Sequence, residues 1–146
     1  MQDFAVEFLK NRKVAVAGAS PSGKKFGNYI YKTLRDKGYQ VFPVHPTAEA
    51  IESDRAYRDF SDLPDDVTSA LFAIRPERAV TLIKSAARGG IKRIWFQRGA
   101  DFSEAAARAK KAGLEVATGR CLLMYAQPVT GIHAVHRLLV KTFGKL

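Results

Sequence analysis

Five short runs, residues 13–17, 39–44, 69–74, 93–96 and 114–117, carry their apolar residues side by side instead of at every second position. A strand with one wet face alternates apolar and polar residues, whereas a strand covered on both faces does not. Between these runs lie segments whose apolar residues recur at three and four positions. Ile30, Tyr31 and Leu34 do so within residues 28–37, and Ala79, Val80, Ile83 and Ala87 do so after Pro76. Residues 104–111 form a third such segment, with Asp101 or Ser103 placed to cap it, and residues 3–11 form a short leading one with Phe4, Phe8 and Leu9 on one side. Gly38, Gly89-Gly90 and Gly113 stand where helices end, and Pro76 stands where one begins. Pro43 has no amide to donate and predicts a strand end. The pattern predicts an α/β chain in which about five parallel strands form a doubly wound sheet between two helical layers. With 146 residues and 16.1 kDa, one domain uses the whole chain, residues 1–146. An extra helix at about residues 130–143 falls beyond the last strand.

Right-handed crossovers bring the C-terminal ends of all five strands, Gly18, Val44, Ile74, Phe96 and Ala117, to one edge of the sheet. Ligands of such sheets bind outside that edge. The loop after the first strand is Gly18-Ala19-Ser20-Pro21-Ser22-Gly23-Lys24-Lys25-Phe26-Gly27. A strand, a glycine-rich loop and a helix start together present backbone amides to a phosphate, and Lys24 and Lys25 add charge. Residues 18–24 fit G-x-x-x-x-G-K, but Lys25 stands where a magnesium-holding Ser or Thr is needed, and residues 72–74 lead to Arg75, not to a metal carboxylate. Kinase or NTPase chemistry is disfavoured. G-x-G-x-x-G fails because Ser20 replaces its second glycine. The acid expected near the second strand for NAD is also replaced, by Val44-His45-Pro46. His45 suits a phosphorylated ribose or a turn, so NADP and coenzyme A stay open as ligands while NAD does not.

Charge narrows the partners. Residues 1–38 hold 8 basic and 3 acidic side chains, residues 39–66 hold 2 and 7, and residues 67–146 hold 14 and 4. The net charge is +10, which points to an anion: nucleic acid, an anionic membrane or a phosphorylated small molecule. The acidic stretch from Glu49 to Asp66 reads as loop. No apolar run approaches the roughly 18–20 residues that span a bilayer. The start of the chain carries Asp3 and Glu7 and no long apolar stretch, which predicts a cytoplasmic protein without a secretory leader. Cys121, the single cysteine, excludes an internal disulfide and a cysteine-rich zinc site. No G-x-S-x-G, H-E-x-x-H or carboxylate pair at the strand ends occurs, so the chain reads as a binding module without a catalytic set. Ser20 as a nucleophile would have only His45 as its base.

Taken together, Val14-Ala15-Val16-Ala17-Gly18-Ala19-Ser20, Gly38-Tyr39-Gln40-Val41-Phe42-Pro43-Val44-His45-Pro46, Ile74-Arg75-Pro76-Glu77, Ile94-Trp95-Phe96-Gln97-Arg98-Gly99-Ala100, and Ala112-Gly113-Leu114 with Gly119-Arg120-Cys121-Leu122 have a recognisable order and spacing. Over about residues 13–124 the chain resembles the small single-domain CoA-binding proteins with a Rossmann-like fold. These are relatives of the CoA-binding domain of the succinyl-CoA synthetase alpha subunit. The resemblance implies CoA or an acyl-CoA as ligand. It implies a pyrophosphate site at Gly18, Ala19, Ser20 and Lys25, an adenosine side at Val44 and His45, and a closing loop at Ile74, Arg75 and Pro76. Relatives often carry Asn at position 45, a basic residue at 47 where this chain has Thr47, and Ser at 27 where it has Gly27. The chain lacks the length for the synthetase's phosphohistidine domain, so ligase activity is not implied. Lys24 adds charge beside the loop, and Gln97 and Arg98 are candidates for the pantetheine side.

Two alternatives remain open: an NADP-dependent or acyl-CoA-processing enzyme, and a basic nucleic-acid-binding domain. Against the latter, no aromatic-rich strand of an RNA-binding sheet is visible. Trp95 reads as core. Cys121 reads as a small buried apolar residue, with a mixed disulfide to CoA as the minority reading. In residues 130–143, Ile132, Val135, Leu139 and Phe143 share one face, with His133, His136, Arg137 and Lys141 off it. That helix would cover the sheet or meet a second subunit in a homodimer. Membrane attachment is the weaker reading.

Overall fold

The computed structural model describes residues 1–128; the helix expected over 130–143 lies outside them. Five parallel strands form the sheet: β1 (Lys13–Ala17), β2 (Gln40–Val44), β5 (Ser69–Phe72), β6 (Arg93–Gln97) and β7 (Glu115–Arg120), in the order β2-β1-β5-β6-β7. Two very short strands, β3 (Ala50–Ile51) and β4 (Asp54–Arg55), make a separate antiparallel hairpin. Helices α1 (Gln2–Leu9), α2 (Phe26–Asp36), α3 (Pro76–Arg88) and α4 (Ser103–Lys111) complete the described residues, with short 3-10 turns at Phe60–Asp62 and Leu122–Met124.

The run of adjacent apolar residues in each strand is explained by two cores. Ala15, Ala17, Ala70, Phe72, Ile94 and Phe96 face α3 and α4, where Ala79, Ile83, Ala86, Ala105 and Ala109 meet them. Val14, Val16, Leu71 and Trp95 face the opposite layer, built on Phe8 of α1 and Ile30, Tyr31 and Leu34 of α2. Successive strand residues therefore feed opposite layers, and the fold is the expected three-layer doubly wound one. Trp95 is fully buried as expected, against Phe4, Phe8 and Tyr125, and its Nε1 donates to Arg120 O at 3.0 Å.

Pro43 sits inside an edge strand, in register with Val16, and not at a strand end. Its carbonyl faces outward and accepts from Tyr57 N at 2.8 Å, while His45 N donates to Tyr57 O at 2.9 Å. The missing amide of Pro43 therefore lies on the outer side, where it costs no bond to β1. Residue 57 also covers the edge of the sheet there.

Three further expectations need correction. The acidic stretch 49–66 contains the β3–β4 hairpin and a 3-10 turn, and is not irregular throughout. The third sheet strand stops at Phe72, two residues short of Ile74, although Ala73 N still donates to Ala17 O at 2.8 Å. The last sheet strand runs from Glu115 to Arg120, past Ala117, with a register shift against β6 between Trp95 and Gln97 and a left-handed Gly119 at φ +75°. At the start of α4, Asp101 accepts from Ser103 N at 2.9 Å, so the acid does the capping from just outside the helix.

Asp59 links the turn at Phe60 to α3. Its carboxylate accepts from Phe60 N at 2.9 Å, from Ser61 Oγ at 2.8 Å and from Ser85 Oγ. The Ser85 bond, then the Ser61 bond, hold its pKa below the ordinary value of 3.8. A depressed carboxylate stabilises the fold above that ordinary value, and the stabilisation is lost as pH falls through the lowered one. Asp59→Asn loses the charge and the acceptor for Ser61, and is therefore expected to cost about 1 kcal/mol at pH 7 and to flatten the acid limb of a stability–pH curve. Urea melts of both proteins between pH 2 and 7 check this; parallel curves would remove Asp59 from the acid response.

Candidate functional site

The ends of β1, β2, β5 and β6 open into one cleft of about 800 Å³. That volume falls within the range of small-molecule sites. The strand order reverses direction between β1 and β5, and the cleft lies across that point.

Its floor is made by close backbone approach. Gly18 has φ +129°, and a Cβ there would lie within 3 Å of the carbonyl oxygen and carbon of Ala73. A Cβ on Gly27 would lie within 3 Å of Gly18 O, Gly18 C and Ala19 N. The start of α2 thus presses directly on the end of β1, and the first turn of the helix offers amides that have no partner within the helix.

Asn28 fixes the loop between them. It is fully buried. Its Oδ1 accepts from Ser20 N at 2.9 Å and Lys25 N at 3.3 Å. Its Nδ2 donates to Ser20 O at 2.9 Å and to Glu52 Oε2 at 2.8 Å. Glu52 and Ser53 occupy the tip of the β3–β4 hairpin with φ of +51° and +69°. Asp54 anchors that hairpin through Arg35 at 2.9 Å and Tyr31 Oη at 2.5 Å. Burial first, and then the Asp54 bond, push the Tyr31 phenol far above its ordinary pKa, so it remains a neutral donor.

The cleft brings together Gly18, Ala19, Ser20, Lys25, Val44, His45, Ile74, Arg75, Pro76, Gln97 and Arg98. Lys24 is not among its lining residues; its amide is turned to Ser22 Oγ at 3.2 Å. Ser20 Oγ pairs with Ser22 Oγ at 2.7 Å. His45 Nδ1 accepts from Thr47 N at 3.2 Å and Ala48 N at 3.0 Å, so the turn use of His45 is realised and its proton sits on Nε2. Burial, and then the Arg78 guanidinium, lower its pKa, which keeps the ring neutral at pH 7. Gln97 is buried and its Oε1 accepts from Leu122 N at 3.2 Å, holding the turn that follows β7. Cys121 is half-buried and lines no part of the cleft.

Arg58, Arg78 and Phe26 line the cleft as well, and none was picked out from the sequence. Arg58 comes from the acidic stretch and Arg78 from α3, so only the folded chain joins them to His45. Asn28 had a local signal: it stands three residues after the helix cap Lys25, where a side chain reaches back to the cap amide. Among the described residues, no group of three His, Cys, Asp or Glu side chains is arranged to hold a metal, and no helix is long and apolar enough to cross a membrane.

The profile of the family described as CoA binding domain matches residues 12–127. The alpha subunit of an ADP-forming acetate–CoA ligase II from Pyrococcus furiosus is 30% identical over 141 residues, which take in 93% of this chain and 30% of the subunit. An ADP-forming acetate–CoA ligase II from Archaeoglobus fulgidus is 28% identical over 150 residues, 97% of this chain and 22% of the ligase. The chain therefore spans less than a third of either relative. Among solved structures, a hypothetical protein from Pyrococcus horikoshii has a TM-score of 0.77 at 29% identity, covering 86% of this chain and 89% of that one. A conserved hypothetical protein from Pyrococcus furiosus has a TM-score of 0.73 at 39% identity, covering 79% of this chain and 99% of that one. The matched span takes in the whole sheet, the glycine loop and every residue of the cleft. The chain belongs to the CoA binding domain family, of the kind found in the succinyl-CoA synthetase alpha subunit.

Proposed function

We propose that this chain binds coenzyme A or an acyl-CoA in the cleft at the C-terminal edge of the sheet, as one binding domain. The observation that carries the reading is the Gly18–Gly27 contact. It leaves bare backbone where a pyrophosphate needs close approach, at the start of α2 and beside Lys25. Arg75 and Arg98 add charge on the β5 and β6 sides, and Ile74, Pro76 and Phe102 supply apolar lining for a less polar tail. When bound, CoA supplies a thiol that can carry an acyl group. The residues of this chain hold and orient the nucleotide: loop amides and Lys25 on the pyrophosphate, His45 on the adenosine side, and Gln97 and Arg98 toward the pantetheine. Ser20 and His45 are engaged with Ser22 and with backbone amides respectively, which argues against their use as a nucleophile and base.

Calorimetric titration with CoA, dephospho-CoA and NADP tests the reading. CoA is expected to bind with a Kd well below millimolar and more tightly than NADP. Binding of NADP with no response to millimolar CoA would replace this reading with the NADP one.

A further inference from the structure

Two guanidinium groups without a partner of their own line the cleft: Arg58 follows Tyr57, which pairs with Val44 at the end of β2, and Arg78 lies near enough to His45 to act on its charge. Among the described residues, neither Arg58 nor Arg78 has a side-chain hydrogen bond or ion pair, and both are exposed. The acids nearest in sequence are engaged elsewhere. Asp59 is committed to Phe60 N, Ser61 and Ser85, and Glu77 lies 3.9 Å from Arg75. Arg78 occupies the first turn of α3, after Arg75 at its cap position and Pro76. A cation at that end of a helix works against the helix dipole, which favours negative charge there. A bound anion removes the conflict. His45 adds a neutral Nε2–H donor at the same end, because its Nδ1 is occupied by two backbone amides.

We propose that Arg58 and Arg78, with His45, form a phosphomonoester subsite separate from the glycine loop, which takes the ribose phosphate that CoA has and dephospho-CoA lacks. The inference rests on the CoA reading above. A phosphomonoester carries nearly two charges at neutral pH, and paired guanidiniums meet it with directional, charge-assisted bonds. The glycine loop, at the end of β1, is left to the pyrophosphate. Thr47 is uncharged, so in this chain the positive charge comes from two other elements, the segment after β4 and the first turn of α3.

The test is titration of the wild type, Arg58→Ala, Arg78→Ala and the double variant with CoA, dephospho-CoA and NADP at one fixed salt concentration. Both side chains are exposed, so the variants are expected to melt with the wild type. Wild type is expected to prefer CoA to dephospho-CoA. Each substitution is expected to weaken CoA by about tenfold, the size of one charge-assisted bond. The double variant should bind CoA no better than dephospho-CoA, whose own affinity stays unchanged. Equal losses for both ligands would overturn the subsite, and so would an unaltered preference in the double variant. A wild type that binds both ligands alike would overturn it while leaving the CoA reading standing. A wild type that binds neither ends both. Loss of NADP binding in the double variant with CoA unaffected would assign the arginines to the other ribose phosphate and overturn the assignment made here.

Discussion

Gly18→Ala is expected to cost about 3–5 kcal/mol of stability, more than loss of a ligand contact would suggest. The φ of +129° at Gly18 is one that side chains rarely adopt, and strained backbone of this kind costs roughly 1–3 kcal/mol. The new Cβ would also press on the carbonyl of Ala73. That carbonyl cannot easily retreat, because Ala73 N is bonded to Ala17 O across the β1–β5 pair. Forcing extra atoms into packed surroundings adds a further 1–3 kcal/mol or so. Domains of this size are stable by only about 5–15 kcal/mol. Urea unfolding of the purified variant checks the figure. A loss under about 1 kcal/mol would mean that the two strand ends separate with ease. Gly27 belongs to the same interlock: any side chain there would drive its Cβ into Gly18 and Ala19 in this backbone.

That interlock was legible in outline from the sequence, because strand, glycines and helix start are contiguous in the chain. The five main strands were legible for a related reason. Burial on both faces writes itself into each of them locally, as Val14-Ala15-Val16-Ala17 shows. The β3–β4 hairpin was not legible. Its tip is Glu52-Ser53, which lacks the Asn-Gly or Asp-Gly signature of a tight turn. What holds it is remote in sequence: Arg35 and Tyr31 on Asp54, and Arg35 on Glu52 O at 2.6 Å. The end of β7 was missed because it lies at the sheet edge. There Thr118, Gly119 and Arg120 are exposed, and the apolar signal fades before the pairing does. The arginines of the cleft were hidden by the same kind of distance. Arg58 and Arg78 are 20 residues apart in sequence and meet His45 only through the topology.

Asn28→Ala is the second substitution with a large expected effect, and it separates the shape of the loop from the charge around it. Truncation leaves Ser20 N and Lys25 N without the acceptor they have now, while Ser20 O keeps its bond from Gly23 N at 3.1 Å. A stranded polar group costs about 1–3 kcal/mol when buried, and these two are only partly so, which gives an expected total of about 2–4 kcal/mol, reduced where water enters. Affinity for CoA should fall by at least about tenfold, because the loop would have to be ordered on binding. Glu52 provides the control. Glu52→Gln keeps a carbonyl oxygen for Asn28 Nδ2 and should retain both stability and affinity, whereas Glu52→Ala removes only one of the two acceptors of that amide. A graded series, with Gln near wild type, Ala at position 52 intermediate and Ala at position 28 lowest, is the signature of a clamp that sets loop geometry. If Glu52→Gln instead matched Asn28→Ala, the carboxylate charge and not the hydrogen-bonded shape would be what the loop requires. If Asn28→Ala bound CoA as wild type does under conditions where both are fully folded, the pyrophosphate would have to rest on the α2 amides and Lys25 alone. Asn28 would then be a purely structural residue of the α2 start.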